Sequence, residues 1–177
     1  SLLNAKKLFY ENSVNHNIQS IEFLKKFPKH VDNIDLCIIA TSSNVRLDVL
    51  KELVSNYSIK NIIFEKILFQ SEDQLYEAKN IIQQNKIKSW VNCFRREEEF
   101  WKKIKEHFVK NSNMKMYYAK SGCHVCTNSI HILDLAAWLF NDQIKQIDGS
   151  NLDAEIYESR RKEFIELSGL LKVEFQN

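Results

Sequence analysis

Two apolar runs end abruptly in polar residues, and they constrain this chain more than any other feature. Asp35-Leu36-Cys37-Ile38-Ile39-Ala40 runs into Thr41 and Ser42, and Asn61-Ile62-Ile63-Phe64 runs into Glu65 and Lys66. Unbroken apolar runs of this length match parallel strands buried on both faces. In open α/β sheets a ligand sits just beyond the carboxyl ends of such strands. Thr41, Ser42, Glu65 and Lys66 therefore fall where a binding site is expected, on two consecutive strands.

Helical patterns separate the runs. Val45, Val49, Leu50, Leu53 and Val54 recur at helical spacing over Asn44–Tyr57, with Ser43 or Asn44 as the cap. Ser71 opens a second helix with Leu75, Ala78, Ile81 and Ile82 on its apolar face, and Gln74 completes a weak capping box. The strands are Ile34–Ala40, Asn61–Phe64 and Ser89–Phe94. Short helices are expected over Ser1–Lys7 and over Ser20–Phe27, the latter stopped by Pro28. The β-α-β-α-β order predicts a parallel sheet with right-handed crossovers. After Arg95 the pattern changes. Glu97–Lys110 is an amphipathic helix with Phe100, Ile104 and Phe108 on one face. Met114–Ala119 alternates like a strand, and Asn128–Phe140 is a strongly apolar helix. Glu155–Tyr157, Phe164–Leu167 and Leu171–Phe175 read as antiparallel strands, with a turn at Ser168-Gly169. Residues 1–95 thus form an α/β unit with a parallel sheet, and residues 96–177 an α+β unit with an antiparallel sheet.

Composition narrows the function. A length of 177 residues with 44% hydrophobic content can bury a core. A net charge of +2, with basic and acidic residues interspersed, argues against nucleic acid or an anionic membrane as partner. No apolar run approaches the roughly 18 residues of a membrane span, and the first residues are too briefly apolar for a signal peptide. Four cysteines do not make a disulfide framework, so a reduced, cytoplasmic compartment is the default. Cys123-His124-Val125-Cys126 has metal-pair or redox-pair spacing. A structural zinc site needs about four ligands, and Cys37 and Cys93 stand alone in strands, so no metal is expected. The only glycines are Gly122, Gly149 and Gly169, which leaves no Gly-x-Gly-x-x-Gly turn in the first 121 residues.

Four segments, in order, resemble the Gfo/Idh/MocA family of glucose–fructose oxidoreductases and inositol dehydrogenases. Asp35–Ser42 is similar to the strand ending in Ala-Thr that contacts the cofactor. Phe64-Glu65-Lys66 is similar to the Glu-Lys-Pro signature. Val91–Arg96 resembles the strand that crosses into the second domain, and Asn128–Asp134 the helix start that carries the family histidine. The resemblance covers residues 31–177. It implies an incomplete Rossmann-type domain followed by an α+β domain. Ile67 replaces the signature proline, and Thr127 stands four before the histidine where the family often has Asp. The first strand, its Gly-rich turn and the second strand with its acidic ribose contact have no counterpart. The sequence is therefore expected to belong to a longer protein, with joins near Lys7–Glu11 and near Cys123–Cys126.

The resemblance implies an oxidoreductase using NAD or NADP on a sugar, cyclitol or nucleotide-sugar hydroxyl, working as a homo-oligomer. Lys66 and His131 would be catalytic, with Arg95, Asn128 and Asp134 on the substrate. Thr41, Ser42, Asn44, Glu65 and Lys66 would hold the cofactor. Plainer readings stand beside these. Lys66 can also be a surface ion pair, and His131 a structural histidine. Asp134 either orients His131 or caps its helix, and Asn128 either binds substrate or is the N-cap. Thr41, Ser42 and Asn44 also suit a cap. Arg95 either binds an anionic group bidentately or pairs with Glu97–Glu99, and Arg160 and Arg161 share that ambiguity. The rival functions are a non-catalytic family member serving as a scaffold, and a thiol-redox or metal module at Cys123 and Cys126.

Overall fold

A computed structural model of the protein describes residues 2–12, 20–29, 31–107, 115–119, 124–159 and 162–176. Strands β1 (Asn33–Ile39), β2 (Ser58–Phe64) and β3 (Lys88–Val91) form a parallel sheet in that order. Ile39 lies opposite Phe64 and Phe64 opposite Val91, so the residues after all three strands emerge along one edge. Helices α2 (Arg46–Asn56) and α3 (Glu72–Gln84) follow β1 and β2, and Lys51 of α2 pairs with Glu77 of α3 at 2.6 Å. Both pack on the same sheet face, as successive right-handed crossovers in one direction require. Leu47, Leu50 and Leu53 of α2 and Ala78 of α3 close the core over Ile39, Ile62 and Phe64. Each such buried Leu, Ile or Phe side chain contributes about 1.5–3 kcal/mol.

The strands are not buried on both faces. Leu36, Ile38 and Trp90 point away from the helices and are 52%, 64% and 52% exposed. An apolar run reports that both faces are apolar; here helices cover only one. The α2 cap also departs from expectation. Val45 is the N-cap, and no side chain caps the helix. Ser43 is instead buried and takes a hydrogen bond from Gln70. Ser71 caps α3 by accepting from Gln74 N at 3.3 Å, while Gln74 Oε1 reaches past the cap to Gln70 N at 2.9 Å.

Helix α1 (Leu2–Asn12) runs unbroken through Lys7–Glu11. Residues 20–27 form no helix. An eight-residue helix is marginal alone, and this segment is held by contacts instead. Phe23 packs on Phe9 at 5.8 Å, Phe27 packs on Tyr57 at 6.3 Å, and Tyr57 OH donates to Pro28 O at 2.6 Å. Residues 115–119 are not a strand either; alternation without a partner strand does not hold a pleat.

Strand β3 stops at Val91, and Phe94–Glu97 is a 3₁₀ turn leading into α4 (Glu99–His107). Helix α5 (Val125–Phe140) starts earlier than predicted, and His124 rather than Asn128 is its N-cap. Asn141, at φ 51°, ends it in the left-handed conformation. Lys105 fastens α4 to α5, its Nζ lying 4.0 Å from the Trp138 ring centroid and donating to Trp138 O at 2.6 Å. Strands β4 (Ile144–Glu158) and β5 (Ile165–Phe175) form an antiparallel ribbon. Phe140 of α5 packs on Phe175 at 4.9 Å. Ser168-Gly169 is no turn: β5 runs straight through it as an irregularity opposite Leu152. The chain reverses after β4 instead, where Ser159 N bonds Phe164 O at 3.1 Å.

Candidate active site

The β2 strand end and the start of α5 meet. Beyond Phe64, Glu65 N donates to Ile39 O at 3.0 Å, which extends the sheet by one residue. Glu65 is fixed at both oxygens: Oε1 accepts from Lys66 N at 3.1 Å and Oε2 from Asn92 Nδ2 at 3.0 Å. Lys66 then reaches across to α5, where its Nζ donates to Thr127 O at 2.6 Å. That carbonyl belongs to the first turn of the helix that carries His131. The Lys66–Ile67 peptide bond is cis.

His131 is 8% exposed, and its ring meets the Phe94 ring edge-to-face at 5.4 Å. Its Nδ1 is buried without a hydrogen-bond partner among the described residues. One helical turn on, Asp134 forms an ion pair with Arg96, Nε to Oδ2 2.9 Å. Burial holds the His131 pKa below its ordinary value; the nearby Lys66 and Arg95 charges push the same way, against Glu65 and Asp134. Burial raises the Asp134 pKa, with Arg96 and His131 opposing. The site thus presents a neutral imidazole beside an ammonium group, a pairing suited to taking a proton from a hydroxyl that the ammonium polarises.

The histidine makes stability depend on pH. Its folded pKa is depressed, so the unfolded chain binds the proton more tightly. Stability is intact above the unfolded pKa of about 6.5 and is lost as pH falls through the lower folded value. Urea midpoints at pH 7 and pH 5 should differ more for the wild type than for His131→Gln; equal differences would remove His131 as the cause.

The remaining sequence candidates divide. Thr41 and Ser42 sit half-buried at the β1 end, and Thr41 Oγ1 is buried without a partner among the described residues. Asn44 is exposed. Asn128 turns back on its own helix, donating to His124 O and Thr127 Oγ1. Asp134 is engaged by Arg96 and caps nothing. Among the described residues Arg95 forms no ion pair with Glu97–Glu99, and Glu97 and Glu99 face Lys102. Arg160, Arg161 and Cys123 lie outside the described residues, and Cys126 is a half-buried free thiol. Among the described residues no three His, Cys, Asp or Glu side chains converge as a metal ion requires. No helix among them is long and apolar enough to cross a membrane.

Sequence reasoning missed four contributors. Arg46 is buried in the first turn of α2 and clamps the two loops, donating to Thr41 O, Ile67 O and, at 2.8 Å, Leu68 O. Asn92 holds Glu65, Phe94 stacks on His131, and Arg96 holds Asp134. The last three alternate along one short segment, a signal that was present in the sequence.

No family model matches this sequence, and no curated protein is similar to it. Solved structures do share the fold. A dehydrogenase (MviM) from Clostridium difficile aligns with a TM-score of 0.53 at 20% identity, over 78% of this chain and 46% of its own. The WlbA (WbpB) dehydrogenase from Thermus thermophilus, solved with NAD and α-ketoglutarate, aligns at 0.51 and 18% identity, over 78% and 47%. A super-repressor mutant of Gal80p from Saccharomyces cerevisiae aligns at 0.51 and 14%, over 71% and 38%. The fold is that of the Gfo/Idh/MocA-type dehydrogenases. This chain spans less than half the length of each of these three structures.

Two polar groups stand at the strand ends. Thr41 offers an unpartnered hydroxyl at a strand end, and Lys66 an ammonium group on the neighbouring strand end. The first 121 residues contain no glycine and so no glycine-rich turn.

Proposed function

We propose that this chain carries the proton-handling centre of an NAD- or NADP-dependent oxidoreductase acting on a sugar, cyclitol or nucleotide-sugar hydroxyl. The observation that supports it is the Lys66–Thr127 bond, which brings the lysine at a parallel strand end to the helix of the neutral His131. Thr41, Ser42 and Lys66 would line the nicotinamide end of the groove. The diphosphate, in this reading, is held by a turn outside these 177 residues. The nicotinamide, when bound, supplies or accepts the hydride. Lys66 polarises the reacting hydroxyl, and the neutral His131 ring takes its proton. Glu65, held by Asn92, keeps the Lys66 backbone in place.

A homo-oligomer suits the ribbon, which leaves Ile147, Ile156, Ile165 and Leu170 exposed. One observation favours a non-catalytic scaffold instead. Thr127 occupies the position where the family often has an acid, and its hydroxyl is bonded to Asn128.

The deciding measurement is NADH and NADPH binding to the full-length protein, by fluorescence or calorimetry. Binding is expected, with Lys66→Ala leaving nucleotide affinity within about threefold while lowering turnover of a screened nucleotide sugar about a hundredfold. No binding at millimolar cofactor by demonstrably folded protein would favour the scaffold.

A further inference from the structure

The charges around the candidate site do not balance. Two acids lie near His131, and both are engaged: Glu65 by Asn92 and the Lys66 backbone, Asp134 by Arg96. Neither Lys66 nor Arg95 forms an ion pair among the described residues, and with Arg96 they outnumber the two acids by one charge. Lys66 Nζ donates to Thr127 O, a neutral carbonyl. Arg95 rests with its guanidinium carbon 5.9 Å from the Phe94 ring centroid, and its Nε is buried with no acceptor among the described residues. The same phenyl ring carries His131. An unpartnered buried guanidinium N–H is costly, and the excess positive charge lies beside a neutral ring. A charged acceptor with two oxygens relieves both conditions, and arginine is the side chain that binds one with two parallel bonds.

We propose that the substrate bears an anionic group, a carboxylate or a phosphate, that docks on Arg95 beside Lys66 and His131. This rests on the oxidoreductase reading above only for the word substrate; the anion site itself needs no nucleotide. The docking has a chemical consequence. The groups that set the proton affinity of His131 are Lys66 and Glu65 from the loop after β2, Arg95 from the 3₁₀ turn, and Asp134, with its partner Arg96, from the same helix. Lys66 and Arg95 weaken the imidazole as a base. An anion arriving on Arg95 offsets its charge, so His131 becomes a stronger base when the substrate is seated.

The test uses the full chain without nucleotide. The probes are sodium glucuronate and glucose 6-phosphate, with glucose as the neutral control, measured by calorimetry and by NMR titration of the His131 ring. At least one anionic sugar should bind at least tenfold more tightly than glucose, and the stronger probe identifies carboxylate or phosphate. That probe should move the His131 titration midpoint upward. Arg95→Gln should weaken its binding at least tenfold and abolish the upward movement, and Arg95→Lys should recover only part. Anionic sugars that bind no better than glucose overturn the proposal on wild-type protein alone, whatever the variants do. So does binding that survives Arg95→Gln unchanged. A chain that binds glucuronate through Arg95 but ignores NADH keeps this inference and loses the oxidoreductase reading; one that binds NADH but no anionic sugar does the reverse.

Discussion

Arg46→Met should destabilise the protein by about 3 kcal/mol, a shift of about two orders of magnitude in the folding equilibrium. Arg46 is 1% exposed, and its guanidinium joins Thr41 O, after β1, to Ile67 O and Leu68 O, after β2. Hydrogen bonds to a charged donor contribute about 1.5–3 kcal/mol each, but burying the cation costs part of that back, and methionine recovers some packing. The net loss is therefore well below the sum of the bonds. Arg46→Lys should recover less than half of it, because an ammonium group on one stem cannot span three carbonyls in two loops. Urea unfolding of the three proteins gives the result. Equal midpoints for wild type and methionine would mean that each loop holds itself. If the clamp acts as described, the methionine variant also frees Lys66 from its place, and the Lys66–Thr127 bond should loosen before the sheet does.

The clamp shows where the sequence could be read and where it could not. The parallel sheet was legible because its strands are apolar over consecutive positions, and because β-α-β order leaves few topologies. What covers those strands was not, since Leu36, Ile38 and Trp90 are as apolar as their buried neighbours. Arg46 sits on the buried stripe of α2 with Leu47, Leu50 and Leu53, yet a cation next to an apolar stripe reads as solvent-facing. Its acceptors are backbone carbonyls, to which sequence gives no clue. Ser168-Gly169 looked like a turn because glycine permits one; only the register with Leu152 shows the strand continuing. The site divides in the same way. That Lys66 lies at a strand end followed from the pattern. That it reaches the helix of His131 followed from no spacing, only from a resemblance. Asn92 and Phe94 were hidden by extending the third strand to Phe94, which reads both as positions of one pleat.

Gly169→Ala should cost about 3 kcal/mol and act on the ribbon alone. Gly169 has φ +115°, a conformation that L side chains rarely adopt. A Cβ there would meet Leu152 Cα and Asp153 N at 2.6 Å and Asn151 O at 2.7 Å, all backbone of β4. Backbone in a paired strand cannot yield without breaking its ladder, so steric overlap adds to a conformational strain of about 1–3 kcal/mol. Gly149→Ala is the matched control. Its Cβ would first meet Leu152 Cδ1 at 3.2 Å, the end of a side chain that can rotate, and its expected effect is under about 1 kcal/mol. Hydrogen exchange separates local from global damage. Amides of β4 and β5 should lose protection in Gly169→Ala while those of β2 keep theirs, because the core over Ile62 and Phe64 contains no ribbon residue. Unchanged protection in the ribbon would refute the pairing of Gly169 with Leu152. Loss of protection in both sheets would show that α5, which packs on Phe175 and receives Lys66, transmits the ribbon's stability to the candidate site.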